Sequence, residues 1–501
     1  MNDASPTIGA VFTPLQWGAW VVEEFGLREA WLEGKTILDP TCGEGHLLEA
    51  LIFSALEKGV PAAELPLQRL FGIEQEAHFL EAFRTRIKKA YNIELPQSNL
   101  LHRNLLLEPV ELRCDILLGN PPWCNFTDLP APLKPLLKPI YQHYGMAGKS
   151  SELLLGNSRV DIAALVIAKS IKDHLNANGR ALFFAPLSLL LGEGAHKNFR
   201  RFEVQGTRFR IESVHDFGAQ QIFENVSARY ALLNMRRDAE PVFPVPYFVR
   251  KRKTWEEMQA RPFAALNDAW LIQATSGSRN AGSFERIALA QAAAPRQGIN
   301  TGGANDVFIF NLLSENDDGS VTVKDARDRT HRLPARFVYP LLTSENFRDN
   351  DFTPHRYVLL PYEENGNALS SAALKKEPLL DAYLQEHRER LEARKGPLLR
   401  ARIRQGCWWA LFGVGAYNFA PYKIVWEAYG RSTFRPMLVE GRVQVNQSLQ
   451  AYIPFYNKRE ARRMLKALKG KYVEEYLRAQ SMSGTMNWAQ PGKMRKLFEL
   501  T

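Results

Sequence analysis

An apolar run ends in a short loop of unusual composition, Asn120-Pro121-Pro122-Trp123. The run before it, residues 116–119, is typical of a buried strand. Asn120 offers a side-chain carbonyl and an amide, while the two prolines lack N–H groups and stiffen the backbone. Trp123 adds a large flat apolar face. Oriented acceptors beside an aromatic plate suit a planar ring with an exocyclic NH2 group, such as adenine; the alternative is a Pro-Pro turn with a packed Trp.

A second group of residues indicates a site for a ligand with an ammonium group and a ribose. A predicted strand ends at Asp39, and a tight loop with Gly43 and Gly45 leads into a helix. The glycines let the backbone approach a ligand closely, and Asp39 can accept an ammonium N–H. The spacing is not Gly-x-Gly-x-x-Gly, which disfavours a dinucleotide. Glu74 ends the next strand, where an acid can accept both hydroxyls of a ribose; otherwise it is a solvated acid.

Asn104 lies just before the strand that leads into Asn120. Together with the two acids it predicts a ligand that has an ammonium end, a ribose and a base. S-adenosylmethionine fits all three features, and we expect it to be the cofactor. Asn120 and the Pro121 carbonyl would then accept both N–H bonds of the target amine and aim its lone pair at the methyl group. This chemistry needs no metal ion.

With these motifs in their order, the chain resembles the gamma class of N6-adenine DNA methyltransferases. In that family the cofactor motifs precede an Asn-Pro-Pro-aromatic motif, and a target-recognition domain follows. The resemblance implies a Rossmann-like class I S-adenosylmethionine-dependent methyltransferase domain of α/β class with a mostly parallel sheet. It also implies a C-terminal mixed α/β recognition domain. The expected boundaries are a catalytic domain over 1–245, a junction over 246–290 and a recognition domain over 291–501.

The resemblance implies a role for individual residues of the first half. Val11 would lie near the target base, and Phe223, within the segment 222–228, would pack on that base after it flips out. Trp123 would stack on its other face in place of the commoner Tyr. The residues that match the family's cofactor motifs are Thr13, Asp39, Thr41, Gly43, Gly45, Glu74, Asn104 and Asn120; those of the catalytic loop are Asn120, Pro121, Pro122 and Trp123.

Asn104 departs from the family pattern, which usually has an Asp that binds the adenine amino group of the cofactor. An asparagine can accept the same hydrogen bond through its carbonyl, although without charge assistance. We therefore expect modest cofactor affinity, and tighter binding after replacement of Asn104 by Asp.

The second half of the chain is irregular, aromatic and rich in arginine. Its segments 297–302, 339–342 and 422–426 resemble recognition domains of type II methyltransferases and of related restriction or phage-defence enzymes. The net charge of +10 favours a polyanionic partner, which we expect to be double-stranded DNA. The arginines between 388 and 404 alternate with glutamates, which also fits a solvated helical face. Trp408 and Trp409 are expected in a core.

Composition sets the broad class of the protein. The chain of 501 residues is 45% hydrophobic and 24% charged, which is ordinary for a globular protein of two or three domains. Its four cysteines form no Cys-x-x-Cys pair, which fits a reducing cytoplasm and disfavours a zinc site. No leader or membrane-spanning segment is recognised, nor is a nuclease segment. If the protein serves restriction or phage defence, cleavage is expected from a separate partner.

Two other functions remain open from the sequence. Release-factor glutamine methylases and some RNA guanine methylases share the Asn-Pro-Pro-aromatic loop, but they resemble this chain only over its first half. A DNA-recognition subunit with weak or lost catalysis is the second alternative. Asn104 is its only support, and the intact catalytic loop argues against it.

Overall fold

The computed structural model describes residues 11–147, 160–192, 194–224, 226, 228–274, 287–290, 293–428, 434–447, 450–479 and 489–500. The chain divides into two compact units. Unit 1 comprises Met1–Ser283 with Met482–Gly484, and unit 2 comprises Phe284–Ser481 with Thr485–Thr501. Within the described ranges, no helix is long and apolar enough to span a membrane.

Unit 1 is built from strands and helices that alternate over its first 190 residues. Its strands are β1 (Ile37–Asp39), β2 (Leu70–Glu74), β3 (Leu100–His102), β4 (Cys114–Gly119), β5 (Leu175–Pro186), β6 (Glu203–Val204), β7 (Thr207–Asp216), β8 (Tyr230–Arg237), β9 (Val245–Lys251), β10 (Thr254–Pro262) and β11 (Trp270–Ala274). Its helices are α1 (Leu15–Glu24), α2 (Leu27–Leu32), α3 (His46–Glu57), α4 (Ala77–Tyr91), α5 (Leu133–His143), α6 (Ile162–Asp173) and α7 (Ser188–Leu191).

One mixed sheet joins these strands in the order β11-β10-β9-β7-β8-β5-β4-β1-β2-β3, with β6 paired to β7. All neighbours from β3 to β5 are parallel. The strand β8 runs antiparallel between β5 and β7. The parallel half brings the carboxyl ends of β1, β2 and β4 to one edge, which is where ligands bind in such sheets.

The apolar run over residues 230–235 predicts a strand that closes the sheet, and this prediction is wrong. β9 pairs in parallel with β7, and β10 and β11 continue from it as antiparallel strands. These three strands lie in the first part of the range expected to be a junction, which they follow as far as Ala274. β10 buries little more than Ala260, so it lacks the apolar alternation that marks a strand in a sequence. Its backbone hydrogen bonds to both neighbours make it a strand nonetheless.

Helices cover both faces of the parallel half, which explains its nearly continuous apolar strands. Along β1, Ile37 faces the cluster formed with α1, α3 and α4, which includes Leu48 and Phe83. The next residue, Leu38, faces the opposite cluster, which includes Ile167 of α6. Both clusters fix the ends of β1, β2 and β4 rigidly, so that the loops after them are held in place.

Unit 2 contains three smaller groups of strands. The strands are β12 (Ile287–Leu289), β13 (Ile309–Glu315), β14 (Ser320–Lys324), β15 (Thr330–Pro334), β16 (Val338–Leu342), β17 (Arg356–Leu359), β18 (Tyr422–Glu427), β19 (Met437–Glu440), β20 (Gln444–Val445), β21 (Gln450–Phe455) and β22 (Phe498–Leu500). They form the sheet β15-β14-β13-β17-β16-β20, the sheet β19-β18-β21 and the pair β12-β22.

The helices of unit 2 pack beside these sheets. They are α8 (Asn305–Phe308), α9 (Ser344–Arg348), α10 (Ser371–Leu374), α11 (Pro378–Glu386), α12 (Arg388–Glu392), α13 (Pro397–Arg404), α14 (Lys458–Leu468), α15 (Lys471–Ala479) and α16 (Pro491–Lys496). Trp408 and Trp409 are 5% and 2% exposed in the core of this unit, which confirms the sequence prediction for this pair.

Candidate active site

A cavity lies at the carboxyl ends of β1, β2 and β4 and collects most of the residues singled out from the sequence. Those on its wall are Val11, Thr13, Asp39, Thr41, Gly43, Glu74, Asn104, Asn120 and Pro122. Gly45, Pro121, Trp123 and Phe223 do not line it. The residues come from segments up to 111 positions apart, from Val11 to Pro122, and the parallel strand order brings them together.

The two acids at the strand ends organise the loop after β1. The Thr41 N–H donates to Asp39 Oδ1 at 3.1 Å, and the Gly43 N–H donates to Glu74 Oε2 at 2.9 Å. Glu74 Oε1 accepts the Glu76 N–H at 2.9 Å. Each carboxylate oxygen has a second lone pair, so both acids can still accept hydrogen bonds from a ligand.

Burial shifts the titration of both acids. It raises the pKa of Asp39 to about 8, and the negative charge of Glu74 adds to the effect. Burial also raises the pKa of Glu74, against the hydrogen bonds from Glu76 and Gly43. A cation placed between the two carboxyls would reverse these shifts, because it stabilises their charged forms. The site is therefore electrostatically prepared for a positively charged ligand.

The two glycines of the loop have different physical roles. Gly43 has a φ of +52°, and a Cβ there would lie 3.0 Å from the Phe12 ring, which is itself on the cavity wall. Gly45 has a φ of +72°, and its Cβ would lie 2.4 Å from Phe83. Phe83 is fully buried on α4. Gly45 thus permits close packing at the start of α3, whereas Gly43 leaves room at the cavity itself.

Asn120 is held in one orientation by the N-terminal segment. Its Nδ2 donates to the Val11 carbonyl oxygen at 2.9 Å and to Thr13 Oγ1 at 3.2 Å. The Val11 carbonyl can only accept a hydrogen bond, so it requires the nitrogen rather than the oxygen of the Asn120 amide. The carbonyl oxygen Oδ1 is consequently turned away from residues 11–13.

Asn120 Oδ1 is buried and has no hydrogen-bond partner among the described residues. Thr41 Oγ1, His46 Nδ1 and Trp123 Nε1 share this condition and lie around the same edge of the sheet. An unpartnered buried polar atom costs about 1–3 kcal/mol, so a cluster of them indicates groups that a ligand satisfies. The Asn120 oxygen has the chemistry to accept an N–H from such a ligand.

Trp123 rests on other aromatic rings beside the catalytic loop. Its ring centroid lies 5.3 Å from that of Phe223 and 5.3 Å from that of Tyr230. Phe223 is only 1% exposed and also packs on Phe184. Its ring therefore lies in the core behind Trp123, and a contact of Phe223 itself with a target base stays a prediction. Asn225 and Ser227 of the same segment lie outside the described residues.

Asn104 lines the cavity, but its side chain is already engaged. Its Oδ1 accepts the N–H groups of Leu106 and Leu107 at 3.0 and 3.1 Å, and its Nδ2 donates to Gln75 Oε1 at 2.8 Å. Both lone pairs of the carbonyl oxygen are therefore used locally. The reasoning that replacement of Asn104 by Asp tightens binding assumed a free carbonyl, and this geometry removes that basis.

Sequence reasoning missed two aromatic residues of the cavity wall. Phe12 is 40% exposed, and its ring meets that of Phe79 edge-on at 5.3 Å. Both line the cavity next to His46. The sequence contained a partial indication of both residues. Phe12 directly precedes Thr13, and Phe79 lies in the first turn of the helix α4, which follows the strand that ends at Glu74. An aromatic pair at a cavity, with Phe12 exposed and Phe79 half-buried, offers a stacking surface for a planar ligand.

No protein-family model matches the chain, and no curated protein matches it. Solved structures do. The type IIL restriction-modification enzyme MmeI, in complex with DNA, matches over 95% of this chain and 64% of its own, with a TM-score of 0.58 and 14% identity. The type IIG restriction endonuclease BpuSI matches over 97% of this chain and 58% of its own, with a TM-score of 0.41 and 15% identity. A modification subunit of a putative type I restriction enzyme from Vibrio vulnificus matches over 50% of each chain, with a TM-score of 0.35 and 18% identity.

Of these three, the match to MmeI is the one that extends over nearly the whole chain with a TM-score above 0.5. At 14% identity it concerns the fold alone. This chain spans 64% of the length of MmeI, so the larger protein contains parts without a counterpart here. The chain therefore has an α/β fold that it shares with a restriction-modification enzyme.

Proposed function

We propose that the protein is a site-specific DNA methyltransferase that transfers a methyl group from S-adenosylmethionine to the exocyclic amine of a flipped adenine. The observation that carries the proposal is the Asn120 amide, whose nitrogen is fixed by Val11 and Thr13 and whose buried oxygen has no partner. That oxygen adjoins a cavity with two buried acids, Asp39 and Glu74. The fold shared with MmeI supports an enzyme of restriction and modification.

The residues of the cavity fit S-adenosylmethionine. Asp39, buried and with a raised pKa, matches the ammonium group; Glu74 keeps a free lone pair on each oxygen for the two ribose hydroxyls. The absence of a side chain at Gly43 leaves room between the loop and Phe12. When bound, the cofactor supplies a sulfonium methyl group that is already a strong electrophile.

The contribution of the protein is orientation. The lone pair of an adenine amine is delocalised into the ring, which makes the amine a poor nucleophile. If Asn120 Oδ1 and the Pro121 carbonyl each accept one of its N–H bonds, the nitrogen becomes more tetrahedral and its lone pair points along the remaining direction. Fixed dipoles of this kind, held in place before the reaction, are the largest contribution in many enzymes. The extra proton leaves after the transfer.

The target adenine must first leave its base pair, which costs a few kcal/mol. Stacking on Trp123 would recover about 1–3 kcal/mol. Phe223 and Tyr230 lie against the Trp123 ring and would hold this platform rigid. We therefore assign Trp123 to the base and Phe223 to the support of Trp123.

Replacement of Thr13 by Val tests the orientation of Asn120. The change keeps the shape of the side chain but removes one of the two acceptors of the Asn120 amide. Because a neutral hydrogen bond contributes about 0.5–1.5 kcal/mol, we expect the single-turnover methylation rate to fall about tenfold. Replacement by Ser keeps the hydroxyl and should restore most of the rate. Equal rates for the Val and Ser variants would contradict this role.

Proton release on cofactor binding tests the role of Asp39. With a pKa of about 8, Asp39 is mostly protonated at pH 7. An ammonium group favours the carboxylate, so binding should release close to one proton, and affinity should rise as the pH rises towards about 8. Calorimetry in buffers of different ionisation enthalpy measures the protons released. The Asp39→Asn variant should release none; an equal release from both proteins would refute the assignment.

The proposed target can be identified in the cell. Single-molecule sequencing of host DNA with and without the gene should reveal N6-methyladenine at one sequence motif that depends on an intact Asn120. Methylated RNA or methylated protein glutamine, with unmodified DNA, would favour the other enzymes that share the Asn-Pro-Pro-aromatic loop. Any nuclease that cuts the unmodified motif is proposed to be a separate partner.

A further inference from the structure

The helix α14 carries an unusual set of charges. Its apolar residues Ala461, Met464 and Leu468 are buried and face its own unit. On the other side, five cations follow one another at intervals of one or three residues: Arg459, Arg462, Arg463, Lys466 and, at the C-cap, Lys469. All five are exposed. Such intervals place them on one face of a helix, and we call this set the basic stripe.

The cations of the basic stripe are not paired with carboxylates, and even the exposed Glu460, the one acid of α14, has no ion pair with them among the described residues. Among the residues that the structure describes, none of its five members has an ion-pair partner, whereas Lys458 at the start of the helix pairs with Glu440. The neighbouring helix α15 pairs Arg478 with Glu474 and Lys471 with Glu475. Charge pairing is thus the rule on the surface next to the stripe and is missing on the stripe itself.

The arrangement is unfavourable for the helix alone. Like charges three or four residues apart, such as Arg459 with Arg463 and Arg462 with Lys466, destabilise a helix by about 0.2–0.5 kcal/mol per pair. Cations in its first turns also oppose the helix dipole. An anionic partner would turn this repulsion into attraction.

Three of the arginines between residues 388 and 404 provide a contrast. Arg388 is paired with Glu392, and Arg390 donates to the Gly303 carbonyl. Arg394 is 4% exposed and donates to the carbonyls of Leu391, Thr301 and Trp408. Arg394 serves the interior of unit 2, and Arg388 and Arg390 already have partners on its surface, so these three are poor candidates for a nucleic-acid contact.

From these observations we propose that the basic stripe of α14 binds the phosphate backbone of duplex DNA; this inference rests on the proposed function for the choice of partner. From Arg459 to Lys469 the helix rises about 15 Å. Duplex DNA carries one phosphate per about 3.4 Å along each strand, so several phosphates lie within that length. An anionic membrane fits less well, because Met464 and Leu468 of α14 are buried and Leu465 is half-buried, which leaves no fully exposed large apolar side chain on the helix to insert.

The test is the salt dependence of binding to a labelled duplex of mixed sequence, without cofactor, by the full-length protein. Replacement of Arg459, Arg463 and Lys466 by Gln should reduce the steepness of the fall of log K with log salt concentration by about 2.7. A matched variant changes Arg459 and Arg463 to Lys and leaves Lys466 as it is. Because it keeps all three charges, it should show the wild-type salt dependence. A control with Lys89, Lys375 and Lys376 changed to Gln alters the net charge equally, at exposed positions elsewhere.

An unchanged slope in the stripe variant would overturn the proposal, and so would an equal change of slope in the control variant. It would also be overturned if binding to anionic vesicles depends on the stripe while binding to DNA does not. Thermal melting should show the stripe variant to be at least as stable as the wild type, because Gln is a good helix former and repulsion is relieved. The assay needs no methyl transfer. If the protein methylates DNA but the salt dependence of its DNA binding does not change with the stripe, only this inference is refuted. If DNA binding depends on the stripe but no DNA is methylated, only the proposed function is refuted.

Discussion

Replacement of Asn120 by Ala is expected to lower the methylation rate by about 10³-fold, the loss typical of removing a preorganised polar group that acts in the transition state. The variant loses the acceptor Oδ1 and the two hydrogen bonds that tie the loop to Val11 and Thr13. Cofactor affinity should stay within a few-fold of wild type, because the ammonium and ribose partners Asp39 and Glu74 are retained. Single-turnover transfer from labelled S-adenosylmethionine, together with calorimetry, measures both quantities.

Replacement of Asn120 by Asp distinguishes the role of the amide nitrogen from that of the amide oxygen. An Asp keeps an acceptor oxygen but places its other oxygen against the Val11 carbonyl, where Nδ2 now donates. We therefore expect a loss of rate close to that of the Ala variant. Transfer by either variant within tenfold of wild type would remove Asn120 from the reaction and with it the proposed mechanism.

Replacement of Glu74 by Ala is expected to weaken S-adenosylmethionine binding by at least about 100-fold. A hydrogen bond to a charged group is worth about 1.5–3 kcal/mol, and the variant loses the acceptors of both ribose hydroxyls. It also leaves the Gly43 and Glu76 N–H groups without the oxygens that hold the loop. The affinity is measured by calorimetry.

The matched control for Glu74 is Glu81→Ala, which removes an exposed acid from α4 in the same unit. This control should bind the cofactor as the wild type does. If both variants bind equally tightly, Glu74 does not meet the ribose. Thermal melting of both proteins identifies any loss of affinity that comes from a general loss of fold.

The sequence was a good guide where apolar strands end in polar residues. The apolar runs predict strands over residues 36–39, 70–74 and 114–118, because buried parallel strands appear as short continuous apolar runs. β2 has the predicted bounds, and β1 and β4 each differ from theirs by one residue. Asp39, Glu74 and Asn120 follow those strands in a parallel arrangement, and their approach to one cavity was expected for that reason.

The sequence was a poor guide where the structure depends on contacts made by the backbone. β10 is held by hydrogen bonds to two neighbours and has almost no buried side chain, so its pattern resembles a loop. The backbone carbonyl of Val11 orients Asn120. Every residue has such a carbonyl, so the residue type at position 11 does not indicate this contact. The local turn that occupies the Asn104 side chain is equally invisible in a comparison of motifs.

Phe223 shows what a motif leaves undetermined. Its position in the motif predicted a contact with the target base, but the motif does not say how deeply its ring is buried. Burial depends on Phe184 and Tyr230, which come from other strands of the sheet. Tertiary packing therefore decides between a ligand contact and a supporting contact.

The identity of the methylated base tests the central claim most directly. Purified protein is incubated with S-adenosylmethionine and unmodified DNA, and the DNA is digested to nucleosides and analysed by mass spectrometry, with the Asn120→Ala variant as the control. The account predicts N6-methyldeoxyadenosine with the wild type and almost none with the variant. A methylated cytosine, or N6-methyldeoxyadenosine formed equally by both proteins, would contradict it.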